Sequence, residues 1–518
     1  MRHFVFCTLQ GQLHRASSPT FLSTSSLFSL LRPLHRRTNS TASAMVTGIG
    51  TKIEPHAYTS GRWLRRNELE IESRYIQFNF DALCQKVIEL SPGASAISDC
   101  RKIEGGFNRV FIFTLDNGKK IVARLPFQLA GPARLTTILK LLRSDTTSIP
   151  IPEILDWNHD YSDINNTVGS EYIIMKHANG VPLHKKWQEM AGDQQVRCIS
   201  AIYKTLNELV DLEFPAFGSL YFNDTFDSTT KQSVGDGFCV GFHCGLSIGE
   251  YCDGLIDSGL SRVPAADINP EKRAIYHGSP ETHSALLKCA RSVLKRMSTN
   301  TRICDSAAPL LFHPDLHMRN IFVSEDDPSV ITSIIDWQGA SIEPAFWYSD
   351  EVPDFATGSE LCTRAFDLSS QFYTPKLSGP RLMDDTLYRP FLYSYRTWKD
   401  GAVALHHEII ETARLWKEIR FKGQCPYPLP TREELVSHEK EYKLFETAQQ
   451  LRTDLSGLLD TASDGWVPPD RWKETHAAHK QIFDEMLQAV LSNPNADDDD
   501  EPVKDEMTLR AIWPFDID

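Results

Sequence analysis

The chain has 518 residues, enough for two to four domain-sized units or for one bilobal catalytic body with additions. Its apolar content of 41% and charged content of 24% fit a soluble globular protein, while a net charge of −14 argues against nonspecific binding to nucleic acid or to an anionic membrane. No run reaches the roughly 18 apolar residues of a membrane span, and 11 scattered cysteines give no disulfide framework.

In chain order, residues 1–53 hold six Arg and Lys residues, many Ser and Thr, and no Asp or Glu. Such a composition predicts a mitochondrial presequence, placed over 1–45. Losing the five Arg residues up to Arg37 would take the charge from −14 to about −19, so the acidity belongs to the working protein. Residues 46–100 read as an N-terminal extension wrapping the back of the first domain, with a helix over 80–90 whose Leu83, Val87 and Leu90 share one stripe.

A small-lobe sheet is predicted over 101–176. Strands at 110–115 and 120–125 flank Asp116-Asn117-Gly118, where Gly supplies a positive φ for the turn. Before them stands Glu104-Gly105-Gly106-Phe107-Asn108-Arg109, in which paired glycines can let backbone N–H groups approach phosphates. The second strand ends Val122-Ala123-Arg124-Leu125-Pro126, and a kinase fold places a phosphate-pairing cation at the position of Arg124; a solvent-facing strand Arg is the plainer alternative. A short helix is expected over 136–143, with strands at 154–157 and 171–175 closing the sheet. Main-chain groups near Ile174, Met175 and Lys176 would read an adenine edge, and 177–180 would link the lobes.

The second lobe is assigned to 177–425, with helices over 187–212 and 283–297 and a loop-rich, substrate-facing stretch over 223–282. Within it, Cys239, Cys244 and Cys252 with His243 have the wrong spacing for a usual zinc module. Helices over 404–419, 432–459 and 472–491 follow, making 426–492 a helical extension, and 493–518 reads as an acidic flexible tail.

The chemistry concentrates in His313–Ala340, HPDLHMRNIFVSEDDPSVITSIIDWQGA. Asp315 and Asn320 stand at the interval of a kinase catalytic loop, and Asp336 follows the next apolar strand. Phosphoryl transfer needs such a set: one carboxylate to position a hydroxyl, and an amide and a carboxylate to hold Mg²⁺ against phosphate oxygens. His313 is expected to anchor the loop by a hydrogen bond, and His317 to pack or touch substrate.

HPDLHMRN with IIDW resembles the aminoglycoside phosphotransferase superfamily. GRWLRRNELEIESRYIQFN, EGGFNRVF, VARLPFQLAGP, EYIIMK and RPFLYSYRTWKDG are similar to its fungal altered-inheritance-of-mitochondria group. The resemblance implies an α+β, bilobal, kinase-like fold, with a small antiparallel sheet, a mostly helical second lobe and C-terminal helical additions. It further implies transfer from ATP, with GTP possible, to a hydroxyl of a small molecule. Carried onto this chain, Asp315, Asn320 and Asp336 are catalytic, with Asn320 and Asp336 holding Mg²⁺. Gly105, Gly106, Asn108, Arg124, Ile174 and Met175 would hold the nucleotide. One departure stands out: 130–144 contains no acid to fix Arg124. That departure sustains an alternative, an inactive pseudokinase presenting its C-terminal helices to a protein partner. A protein kinase is the weaker third reading, because HPD and DWQ replace HRD and DFG.

Overall fold

The structure is a computed structural model that describes residues 53–130, 147–160, 163–222, 232–234, 238–266, 273–350, 352–492 and 501–517. The expected presequence, the expected helix over 136–143 and the acidic run at 497–500 lie outside them.

Strict alternation builds the first lobe. In Asn108–Leu115 the residues Arg109, Phe111, Phe113 and Leu115 point inward and their neighbours are half-buried, the period of a strand covered on one face. It joins an antiparallel five-stranded sheet ordered 97–104, 108–115, 120–126, 172–176 and 154–158. The hairpin between the second and third strands turns on Gly118 at φ +78°, as its sequence requires. The Phe80–Glu89 helix, capped by Asn79 accepting from the Ala82 N–H, buries Phe80, Leu83, Cys84 and Val87. These meet Phe111, Phe113 and Ile174 in one core. The lobe therefore includes this helix and opens its sheet at Ile97, before the boundary drawn at 101.

Behind the sheet, the extension is held by a buried ion pair. Arg109 Nε donates to Glu104 Oε1 at 2.8 Å, and Arg109 Nη1 donates to the Pro55 and His56 carbonyls at 2.9 and 2.8 Å. The Thr59 N–H reaches the other Glu104 oxygen at 2.8 Å. Removing one partner from such a pair typically costs about 3–5 kcal/mol, since a charge would be left buried alone.

The second lobe holds more sheet than expected. Strands order as 309–312, 341–344, 217–222, 238–245 and 232–234 in a second five-stranded sheet. The loop-rich reading of 223–282 is corrected by a strand at Phe238–Gly245 and a helix at Ile248–Ser261. Gly249, Gly254 and Gly259 gave that helix the look of a loop. It forms because Ser247 caps it, accepting from the Glu250 N–H, and because Tyr251, Cys252, Leu255 and Ile256 bury one face. They pack with Leu286, Leu287, Ala290, Val293 and Leu294 of the Pro280–Met297 helix and with Phe391 and Tyr395 of the Asp385–Asp400 helix.

The extension helices fall at Arg432–Leu459 and Trp472–Leu491, the first opened by a Thr431/Glu434 capping box. The flexible tail is corrected where it is described: Glu506–Ile512 is a helix capped by Asp505. Leu509, Trp513 and Phe515 are buried with Leu64, Leu455, Leu459 and Phe483. The neighbouring acidic run hid this apolar pattern. Because Arg62–Trp63 also pairs with Trp466–Val467, the N-terminal extension and the C-terminal helices form one continuous layer.

Candidate active site

The chain passes between lobes along a fixed track. Val181–Pro182 pairs with Phe322 and Val323 of the strand that follows the HPD loop. Gly180, at φ +79°, lies so close to this strand that a Cβ would come within 2.2 Å of the Val323 carbonyl oxygen. The Thr332 hydroxyl donates to the Asn179 carbonyl at 2.7 Å. The linker thus lies against the hairpin carrying the motif residues.

His313 organises the loop. Its buried ring accepts the Asp315 N–H on Nδ1 at 3.1 Å and meets the Ile335 carbonyl through Nε2 at 3.0 Å. One neutral tautomer satisfies both contacts, with the proton on Nε2, and burial pushes the ring's pKa down. The structural role expected for His313 is the one observed. Ile335 is tied a second time, its N–H donating to the Asn320 carbonyl at 2.9 Å. The residue immediately before Asp336 is therefore bonded to both ends of the HPDLHMRN segment.

Asn320 is buried, and its amide donates to the Asp315 carbonyl and to Asp315 Oδ2, each at 2.8 Å. Asp315 also meets His317 Nε2 at 3.1 Å and Arg319 Nη2 at 3.1 Å. Burial alone would raise the Asp315 pKa, but the His317 hydrogen bond and the Arg319 charge hold it well below the usual carboxylate range. His317 goes the other way. Its bonds to Asp315 and Asp354, opposed by burial, lift it to about 9, so it is a cation at neutral pH. Asp354 accepts the Met318 N–H at 3.0 Å as well, pinning the loop from outside. No motif marked Asp354, because its role depends on a chain reversal after the second hairpin strand.

Asp336 has φ +65°, a left-handed conformation that costs a non-glycine residue about 1–3 kcal/mol and gathers at functional sites. Its Oδ1 meets Arg124 Nη2 of the first lobe at 2.6 Å. Arg124 also donates to Gln338 Oε1, as does the Asn108 side chain. Three predicted residues, Asn108, Arg124 and Asp336, are thus brought together, along with Gln338, which the sequence reading passed over.

Gly105 and Gly106 turn between strands without a positive φ, and a Cβ at Gly106 would meet nothing within 4 Å. The fold itself makes no steric demand for glycine there, and the loop stands open. Ile174 is a correction: it is buried in the first-lobe core and lies between Ala123 and Asp156 of the two flanking strands. The Lys176 N–H donates to Glu153 O at 2.8 Å and the His177 N–H to Lys120 O at 3.2 Å. A central strand spends its main-chain groups on its neighbours, so these two N–H groups are not left for a base edge. Met175, half-buried on the same strand, pairs with Val122 and Ile154. In the stretch expected to face substrate, Asp253 and Asp257 are engaged by Arg291 and Lys295 of the neighbouring helix.

Among the described residues, no group of three or more His, Cys, Asp or Glu side chains is placed to hold a metal alone. Asn320 and Asp336 nonetheless suit Mg²⁺, which takes few protein oxygens and completes its shell with phosphate and water. The Asn320 amide nitrogen is spent on Asp315, which leaves its carbonyl oxygen as the donor atom.

Residues 99–347 match the phosphotransferase enzyme family. The chain carries a phosphotransferase-family domain. The match ends just past Glu343, so it takes in the first-lobe sheet, the linker, the HPD loop and Asp336. A subtelomeric hrmA-associated cluster protein of Aspergillus fumigatus is 28% identical over 476 residues, covering 74% of this chain and 92% of its own. The mitochondrial altered inheritance of mitochondria protein 9 of Candida albicans is 24% identical over 218 residues, 34% of each chain. The aminoglycoside phosphotransferase APH(3'')-Id from Streptomyces rimosus aligns at a TM-score of 0.32 and 15% identity, covering 58% of this chain and 92% of that one. The fold class is the α+β, kinase-like one expected of the family. Among the described residues no helix is long and apolar enough to cross a membrane.

Proposed function

We propose that the protein is a mitochondrial phosphotransferase that moves the terminal phosphate of ATP, or of GTP, to a hydroxyl of a small molecule. The observation that carries this reading is the bonding of Asn320 to Asp315 and to Ile335, the residue before Asp336, with His313 bridging Asp315 and Ile335. Asp315 accepts the hydrogen bond of the incoming hydroxyl and aims its oxygen. Its low pKa suits this, because a loose transition state asks for orientation more than for a strong base. Asn320 and Asp336 would hold Mg²⁺, which supplies charge neutralisation at the phosphate oxygens when bound. Arg124 and the open Gly105-Gly106 turn face the phosphates from the first lobe, with Asn108 beside them, and Met175 stands at the strand leading to the linker. The mitochondrial assignment rests on the acid-free, Arg-containing first 53 residues and on the name of the Candida albicans relative.

Asp315→Ala (D315A) should lower turnover by about 10²–10⁴ while leaving nucleotide binding in place. The measurement is phosphate release from ATP and GTP with Mg²⁺ across a panel of hydroxylated acceptors. Release by D315A at the unmutated rate would sink the assignment. A second reading, a nucleotide-binding protein without turnover, is favoured by the absence of any acid in 130–144. It predicts a melting temperature raised by Mg²⁺ and ATP but no transfer to any acceptor.

A further inference from the structure

Arg124 poses a problem that the sequence leaves open. A guanidinium at the end of a strand needs a fixed heading to serve a phosphate, and 130–144 offers no carboxylate to give it one. Among the described residues Arg124 has two side-chain partners, both from the Asp-Trp-Gln turn of the opposite lobe: Asp336 at 2.6 Å and the Gln338 carbonyl oxygen. They differ in what a bound nucleotide would do to them. Asp336 is the carboxylate assigned to Mg²⁺, so its hold on Arg124 competes with the metal. Gln338 is neutral and has no such competitor.

We propose that Gln338 is the positioning residue of the phosphate site, orienting Arg124 and Asn108 together through one amide oxygen. An amide oxygen has two lone pairs, and here it accepts from both side chains. Being uncharged, it fixes the guanidinium without cancelling the positive charge that phosphates would meet, as a carboxylate would. The same oxygen links the turn at Asn108, Arg124 of the third strand and the segment of Asp336, so joining the lobes and aiming the cation are one arrangement. Trp337 supports this placement: it is buried, and its indole N–H donates to Ile334 O at 3.0 Å, which fixes the chain just before Gln338. This inference rests on the phosphotransferase reading and goes beyond it by naming what holds Arg124 when 130–144 supplies no acid.

The test is equilibrium binding of a fluorescent ATP analogue with Mg²⁺ to the full chain, comparing the unmutated protein with Q338A, R124A and the double variant. One hydrogen bond to a charged group predicts that Q338A weakens binding about tenfold. Q338A should cost less on the R124A background than in the unmutated protein, because part of its effect runs through Arg124 and the rest through Asn108. Q338M, close in volume, should reproduce the loss and guards against a packing defect in Q338A. Unchanged binding in Q338A overturns the assignment. Tighter binding overturns it too, since Gln338 would then be a lock that nucleotide must break. Additive losses in the double variant show that Gln338 acts apart from Arg124, and also refute it. If the unmutated protein binds no nucleotide, the phosphotransferase reading falls, and this inference with it; a loss confined to Q338A bears on Gln338 alone.

Discussion

His317 lies between two carboxylates, Asp315 at 3.1 Å and Asp354 at 3.7 Å. Its folded pKa of about 9 exceeds the ordinary 6.5, so folding is favoured by its proton. That contribution is fully present below about pH 6.5 and is lost as pH rises through 9. The unmutated protein should therefore lose stability to urea between pH 7 and 9.5, and H317Q should lose less over the same range. Equal slopes for the two proteins would show that His317 is not held as a cation. At this scale the candidate site was legible where partners sit within one short stretch: Asp315, Asn320 and His313 are neighbours along the chain and were found from spacing. Asp354 and Gln338 were not, because each earns its role from a residue that only folding brings near. The role of His317 was half legible, since contact was expected but not with two carboxylates of its own chain.

Elements with a clean period were read well and those with glycine were not. Arg432–Leu459 and Trp472–Leu491 fall at the predicted bounds, since helical spacing and a capping box speak in the local sequence. The helix Ile248–Ser261 was read as loop because glycine is a poor helix former, costing about 0.8–1.0 kcal/mol relative to alanine. Gly259 shows what offsets that cost. A Cβ there would lie 2.5 Å from the Ser394 carbonyl oxygen and 3.0 Å from Leu287, so the missing side chain lets two helices approach. Gly259→Ala should therefore destabilise the protein, by about 1–3 kcal/mol, although alanine has the higher helix propensity. Urea unfolding measures it, and a gain in stability would mean that the crossing relaxes freely. Ile174 is the converse error. Its strand was recognised, but whether a strand is central or edge is a property of the sheet.

On the scale of the whole molecule, the two ends of the chain complete each other. Leu64 of the N-terminal extension shares a buried cluster with Leu455, Phe483, Trp513 and Phe515, and the Asp516 N–H donates to the Leu64 carbonyl at 2.9 Å. Deleting 506–518 would uncover this cluster, at about 1.5–3 kcal/mol for each large apolar side chain exposed. The truncated protein should melt several degrees lower yet, below its melting point, bind nucleotide within about twofold of the full chain, because the cluster lies outside the HPD loop and its contacts. An unchanged melting temperature would show that the tail contributes no packing.

The amino-acid sequence by itself determined the hairpin of the first lobe and the order of Asp315, Asn320 and Asp336, since period, turn chemistry and motif spacing are local quantities, and the resemblance those motifs carry implied the kinase-like fold class. Tertiary structure alone decided which partners hold Arg124, that Glu104 and Arg109 anchor the extension, and that the tail is part of a core. Those outcomes depend on burial and on contacts between residues tens to hundreds of positions apart, where the free energy belongs to the packed arrangement and to no single stretch of chain.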